Sequence, residues 1–231
     1  MLVLENIVIT QDDFRLTADF AVATGARVAV IGPSGAGKST LLSVISGFFP
    51  AASGRILWDG RDISGLAPGE RPLSILFQDQ NLFPHLTVAQ NVGLGLRPNL
   101  RLTAAETARV GEALGRTGLA GMADRRPGTL SGGQQSRVAL ARVLLRSQPL
   151  MLLDEPFSAL GPALKDEMLD LVSDIASETG ATVLMVSHDP DDARRFSRET
   201  IVVAEGRVFP PEPTQALLDN PPPALAAYLG T

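Results

Sequence analysis

The nine residues from Gly32 to Thr40 constrain this chain more than any other stretch. Gly32, Pro33, Ser34, Gly35, Ala36, Gly37, Lys38, Ser39 and Thr40 follow Arg27–Ile31, a short apolar run of the buried-strand kind. They open Ser39–Ser46, which reads as a helix that Gly47 can cap at its C-terminus. A strand, a glycine-rich loop and a helix start, in that order, make a phosphate cradle. Glycines let successive N–H groups curl around phosphate oxygens, and the helix N-terminus adds favourable partial charge. Lys38 supplies a cation to the β- and γ-phosphates, and Ser39 offers a hydroxyl to Mg²⁺.

The remaining patterns fit a parallel sheet around that cradle. Leu2–Ile9 is apolar and β-branched, and Leu16, Ala18, Phe20 and Val22 alternate as one face of a half-buried strand. Arg55–Trp58 and Arg61–Ile63 flank Asp59-Gly60, a hairpin turn signal. Leu73–Phe77 reads as a strand. From Thr87 to Ser147 the texture is helical, with a capping-box pattern from Thr103 to Glu106. Strand patterns resume at Leu150–Leu153, Thr182–Val186 and Ile201–Ala204, alternating with helices near Pro162–Thr179 and Pro190–Phe196. Strand–helix alternation on both sides of a helical block implies a parallel α/β sheet with an α-helical insertion. The proline-rich C-terminal stretch reads as loop with one short helix around Thr214–Leu218.

Three further constellations carry chemistry. Leu150–Leu153 runs into Asp154 and Glu155, so a buried strand presents carboxylates at its C-terminal edge, where α/β sheets place ligands. Asp154 is a Mg²⁺ ligand candidate, through water, and Glu155 is placed to polarise a water attacking the γ-phosphate. Ser131, Gly132, Gly133 and Gln134 follow Leu130 and start a largely apolar helix, a second anion-receiving N-terminus. Alone, such a segment is usually just a cap; beside the Gly32–Thr40 cradle it gains meaning, because a nucleotide shared between the cradle of one copy and this segment of another would use both. His188 ends the strand Val183–Val186 where a γ-phosphate sensor belongs, and Gln78 ends Leu73–Phe77 within reach of Mg²⁺ or the attacking water.

This set resembles the ATP-binding subunits of ABC transporters. The motifs are Gly32–Thr40 (Walker A), Gln78 (Q-loop), Leu130–Gln134 (signature), Leu150–Asp154 with Glu155 (Walker B and catalytic Glu), Ser158–Gly161 (D-loop) and His188 (switch), in the family's order. The resemblance implies a P-loop NTPase (RecA-like) α/β core with an N-terminal antiparallel β subdomain and an inserted α-helical subdomain. Residues 1–78 and 148–231 would form the core and residues 79–147 the helical subdomain, within one ATP-binding domain. It implies ATP and Mg²⁺ as ligands, with Ser39, Gln78 and Asp154 at the metal and Glu155, His188 and Gln78 at the reacting centre. It implies a head-to-tail homodimer in which Ser131–Gln134 of one copy completes the site at Lys38 of the other. Closure and hydrolysis would then drive two transmembrane permease subunits served by a periplasmic solute-binding protein, with this chain on the cytoplasmic face of the membrane.

A narrower resemblance runs through Leu76–Leu96, Asp154–Leu160 and Leu184–Asp189, which look like the ATP-binding subunits of bacterial thiamine importers. Importers of iron, sulfate, molybdate and polyamines share much of this wording. Three positions depart from the family pattern. Gln11 stands where an adenine-stacking aromatic is expected, with Phe14 the nearest candidate. Ser136 stands where Gln is common, and Gly161 where the D-loop has Asp.

Composition narrows the alternatives. No cysteine is present, which excludes disulfides, thiolate metal sites and a Cys nucleophile. Net charge is −5, against a bulk electrostatic nucleic-acid binder. No run reaches about 18 apolar residues, so no membrane span is expected, and the N-terminus does not read as a signal peptide. A GTPase lacks its Asn-Lys-x-Asp guanine motif here. A small-molecule kinase has no need of Leu130–Gln134, and 92 residues between Ser39 and Ser131 leave no room for the coiled coil of a DNA-repair ATPase. A soluble regulatory ABC protein usually carries two cassettes, and this chain carries one.

Charge is unevenly spread. Residues 80–147 hold nine Arg against three acidic residues, a net of +6, while the rest of the chain carries −11. The plain reading is a solvated helical face; the sharper expectation sets the block near phosphates or lipid headgroups. The basic residues include only two lysines, Lys38 and Lys165. One of them falls where phosphate chemistry calls for it.

Overall fold

The computed structural model describes residues 1–158 and 160–229. Ala159, inside the Ser158–Gly161 segment, lies outside the described residues. The N-terminal strands β1 (Leu2–Gln11) and β2 (Phe14–Val22) pair antiparallel, and β4 (Ser53–Trp58) and β5 (Arg61–Asp62) extend that sheet. Asp59 and Gly60, both at positive φ (48° and 77°), make the two-residue turn between β4 and β5. Leu16, Ala18, Phe20 and Val22 are all buried, as the alternation requires.

The parallel sheet holds β3 (Arg27–Ile31), β6 (Leu73–Leu76), β7 (Leu150–Asp154), β8 (Thr182–Val186) and β9 (Glu199–Ala204). Its order is β9-β3-β8-β7-β6, with all neighbours parallel. The short β10 (Arg207–Val208) pairs with both β2 and β9 and joins the two sheets, while β11 (Glu212–Pro213) pairs with β9. Buried on both faces, β7 and β8 are continuous apolar runs rather than alternating ones.

Helix α1 (Lys38–Ser46) is enclosed between the two sheets, packing Leu41, Leu42, Val44 and Ile45 against β1, β3 and β7 residues in one core. It ends on Gly47 in the left-handed conformation (φ 84°). Its last carbonyls are satisfied by Arg71, 5% exposed, which donates to Val44 O at 2.9 Å and Ile45 O at 2.7 Å. The same guanidinium donates to Leu66 O and Ser64 O, so each of its three nitrogens is hydrogen-bonded, the condition on which such burial is tolerated.

Helices α2 (Val88–Gly93), α3 (Ala104–Arg116) and α4 (Gly132–Arg146) share a core of their own around Val92, Leu114 and Val138. Thr87, Thr103 and Ser131 each close a capping box, so this block starts every helix by local chemistry. Its arginines are partly internal. Arg142 donates to the Gln80 and Asn81 carbonyls. Arg137 and Arg116 pair with Glu167 and Glu178 of α5 (Pro162–Thr179), across to the acidic remainder of the chain. Two of the block's nine arginines thus pair with the acidic remainder, and each exposed pair contributes only about 0–1 kcal/mol.

On the other side of the sheet, α5 and α6 (Pro190–Phe196) cover β7, β8 and β9. The C-terminal stretch differs from its reading as loop with one helix. Besides α7 (Thr214–Asp219) it forms α8 (Pro223–Leu229). Pro223 sits at the first helical position, where its missing N–H costs nothing, and Leu225 is fully buried beside Ile31 and Leu217. A tertiary contact, not a periodic pattern, makes this helix.

Candidate nucleotide-binding site

The site lies at the C-terminal edge of β3, β7 and β8, and its tightest part is the Gly32–Thr40 loop. A Cβ on Gly32 would stand 2.0 Å from the Val203 carbonyl oxygen, so the loop leaves the sheet only as glycine. Gly37 caps α1 at φ 103°, with the Phe14 ring and Leu16 against its Cα. Phe14 is thus a packing residue of the cradle floor, and Gln11 is exposed at the end of β1.

Lys38 is 7% exposed, and its ammonium donates to the Gly32 and Pro33 carbonyls, both at 2.9 Å. Two of its three donors are used, leaving one for a phosphate. Burial holds this amine below its ordinary value of 10.5, opposed by the nearby charges of Glu155 and Asp154. Ser39 donates from its hydroxyl to Asp154 Oδ1 at 3.0 Å. Burial raises the Asp154 carboxyl above its usual 3.8; the Ser39 bond works against this and the neighbouring Glu155 charge adds to it. An acidic group and a lysine, each perturbed by burial and each facing the same loop, are the mark of a site built to receive charge.

Glu155 follows β7 at φ 44°, an uncommon conformation for a residue with a side chain, and its N–H donates to Val186 O at 3.2 Å. That bend brings its carboxylate to 3.3 Å from His188 Nδ1 at the end of β8. Lys38, Ser39, Asp154, Glu155 and His188 therefore converge in one chain. Gln78 is exposed beyond β6, and its side chain makes no hydrogen bond among the described residues.

Ser131, Gly132, Gly133 and Gln134 also stand apart from the Gly32–Thr40 loop, with no hydrogen bond to it among the described residues. Ser131 Oγ accepts from Gln134 N at 3.3 Å, and Gln134 Oε1 accepts from Ser131 N at 3.0 Å. Each side chain satisfies the other residue's backbone N–H, while the N–H groups of Gly132 and Gly133 have no partner within the helix.

Contacts that the motifs do not announce surround this site. Gln80, at φ 59°, donates from its amide to Ser136 Oγ at 2.6 Å, and Arg142 grips the Gln80 and Asn81 carbonyls. The loop beyond Gln78 is thereby strapped to α4, and Ser136, unusual for the pattern, is the residue that receives it. Lys165 and Tyr228 reach the segment around His188. Rarity of lysine is the one sequence signal that pointed to the first of these.

A profile of the ABC transporter family matches residues 17–158. The chain belongs to the ABC transporter family. Within it, this cassette is 65% identical to the thiamine import ATP-binding protein ThiQ of Cereibacter sphaeroides, over the whole of both chains. It is 50% identical to the protein of the same name from Yersinia pseudotuberculosis, over all of this chain and 97% of that one. Among solved structures it is similar to the dimeric, post-hydrolysis ATP-binding cassette MJ0796 bound to ADP and Pi. The TM-score is 0.82 and the identity 31%, covering 93% of this chain and 99% of that one. The fold is therefore that of an ABC ATPase cassette. Among the described residues no helix is long and apolar enough to cross a membrane.

Proposed function

We propose that this cassette is the ATP-hydrolysing, energy-coupling subunit of a bacterial thiamine importer. Convergence of Lys38, Ser39, Asp154, Glu155 and His188 at one sheet edge supports the reaction. The names of relatives that match over the full chain support the solute. In this reading the Gly32–Thr40 N–H groups and the free Lys38 donor bind the β- and γ-phosphates. Glu155 orients and polarises the attacking water, and His188 contacts the γ-phosphate. Burial of Lys38 and Asp154 keeps those two charges strong, because little water competes for them.

Ser39 and Asp154 fit Mg²⁺. They offer only hard oxygen donors, the carboxylate is buried without a cationic hydrogen-bond partner among the described residues, and Mg²⁺ asks for one or two protein oxygens beside phosphates. Bound there with Gln78 as a further ligand, it would neutralise charge developing on the transferring phosphoryl group. Residues 79–147 act as the helical subdomain on the core of residues 1–78 and 148–231. Its free Gly132 and Gly133 N–H groups, with Ser131 and Gln134, close on the ATP held by a second copy. A homodimer on the cytoplasmic face of the membrane would then work two permease subunits fed by a periplasmic binding protein.

Glu155→Gln is expected to retain ATP, lose turnover by at least about 100-fold, and run as a nucleotide-dependent dimer in size-exclusion chromatography. Normal turnover by that variant would remove Glu155 from the mechanism. Deleting the gene from a thiamine-requiring strain should abolish growth on low external thiamine, and unchanged uptake would reassign the solute.

A further inference from the structure

The second lysine sits in a closed ring of polar contacts that no part of the mechanism uses. Lys165 lies in the first turns of α5, four residues beyond Gly161, and its side chain is 19% exposed. Its ammonium reaches Asp189 Oδ2 at 2.5 Å and Asp192 Oδ1 at 2.7 Å, joining α5 to the start of α6. The other Asp192 oxygen accepts from the buried Ser187 hydroxyl at 2.6 Å, and Ser187 Oγ accepts from the Asp189 N–H at 3.1 Å. Asp189 also caps α6 through Asp191 N. The ring Ser187, Asp192, Lys165, Asp189 therefore closes on both sides of His188. The His188 carbonyl is itself taken by the Tyr228 hydroxyl at 2.5 Å. Only the imidazole is left out of the ring; it is 56% exposed and faces Glu155 at 3.3 Å.

An exposed ion pair would contribute little. Here one ammonium serves two carboxylates, so removing it leaves Asp189 and Asp192 repelling each other at the foot of α6. The charge acts in the expected sense. Partial burial works against the ammonium, but the bonds to Asp189 and Asp192 outweigh it and hold the Lys165 amine above its ordinary 10.5; Asp189, against the cost of its own burial, is held below 3.8 by Lys165 and the Asp191 N–H.

We propose that Lys165 is a positioning residue for His188, fixing the backbone on both sides of the imidazole so that the ring stays at Glu155, and that it links the segment entering α5 to the γ-phosphate contact. The kinetic part of this proposal rests on the function proposed above; the structural part does not.

The test compares Lys165→Met and Lys165→Arg in the full chain. Lys165→Met is expected to lower kcat about tenfold with the KM for ATP within about twofold, because positioning and not ground-state binding is lost. Lys165→Arg, able to bridge both carboxylates, should recover at least half of the wild-type kcat. The chain has two histidines, so each imidazole can be followed by NMR without crowding. In Lys165→Met the His188 resonance should shift or broaden while that of His85 stays in place. An unmoved His188 resonance overturns the proposal, as does a kcat within twofold of wild type or an Arg variant no better than Met. If the wild-type chain has no turnover at all, the functional reading falls and the His188 resonance alone decides the positioning.

Discussion

Two glycine-bearing helix starts, Gly37 before α1 and Gly132 at the head of α4, look alike in sequence and differ in everything the structure does with them. Gly37 is held at positive φ with Phe14 and Leu16 against it, beside a buried lysine and a buried carboxylate. Gly132 is exposed and helical, with nothing within 4 Å of where a Cβ would be, and its neighbours Ser131 and Gln134 satisfy one another. The first start is assembled by the fold around a buried lysine and a buried carboxylate, at a cost in desolvation. The second is capped by its own residues and leaves the Gly132 and Gly133 N–H groups without a partner in the helix, while Gly133 packs close to Leu164 of α5. In the function proposed above the two are halves of one site, the second meeting ATP held by another copy.

The same substitution at both glycines should separate the halves. Gly37→Ala meets a disfavoured φ and the Phe14 ring 2.5 Å away, and should destabilise the chain by about 2–3 kcal/mol in denaturant unfolding. Gly132→Ala should leave stability unchanged or raise it by up to about 1 kcal/mol, because alanine is the better helix former. Its ATPase rate should nevertheless fall. Equal destabilisation by the two changes would break the contrast.

The halves should also differ in their response to pH. Asp154 has a folded-state pKa above its unfolded value of 3.8, so the native chain takes up this proton first as pH falls. The charged carboxylate therefore costs stability above the raised value. That cost is progressively relieved as pH drops from there toward 3.8. Asp154→Asn, which keeps an acceptor for Ser39, should stabilise the ligand-free chain by about 1 kcal/mol near neutrality. The advantage should shrink toward pH 4. Gln134→Ala, on the side without a buried charge, should cost about 0.5 kcal/mol at every pH through the lost capping box. Thermal melting across that range checks both, and a pH-independent gain for Asp154→Asn would contradict the assigned burial cost.

What was legible in the chain follows the same division between local and distant causes. The bounds of α5 could be read because Pro162 and Gly180 punctuate it, and the Thr103–Glu106 box because its chemistry spans four residues. Gly32–Thr40 was legible because cradle, strand and helix are contiguous. Strands β10 and β11, two residues each, are too short to carry a period. Helix α8 follows a proline cluster and exists through Leu225 in a distant core. The Arg71 clamp on α1 spans 26 and 27 residues, and the Lys165 contacts with α6 span 24 and 27, so no local pattern reports them. Gln78 was legible as a motif position at the end of a strand, whereas the bond that straps the loop beyond it, Gln80 to Ser136, spans 56 residues and has no local signature.

The smallest expected effect sits between the two halves, at Gly161. Its backbone (φ −68°, ψ 157°) suits any residue, an added Cβ meets nothing within 4 Å, and it caps α5 without a side-chain bond. An aspartate there would accept from a free N–H in the first turn of α5, replacing a glycine cap that is only a few tenths of a kcal/mol poorer. Gly161→Asp should therefore raise the melting temperature by about 1 °C. Its kinetic effect tests something larger. Gly161 opens the helix that carries Lys165, so it is one ring of contacts away from His188. If the two halves communicate through it, restoring the carboxylate that the family pattern has there should raise the Hill coefficient of ATP hydrolysis. A higher melting temperature with an unchanged Hill coefficient and rate would confine Gly161 to helix capping and leave Lys165 as the link from this helix to His188.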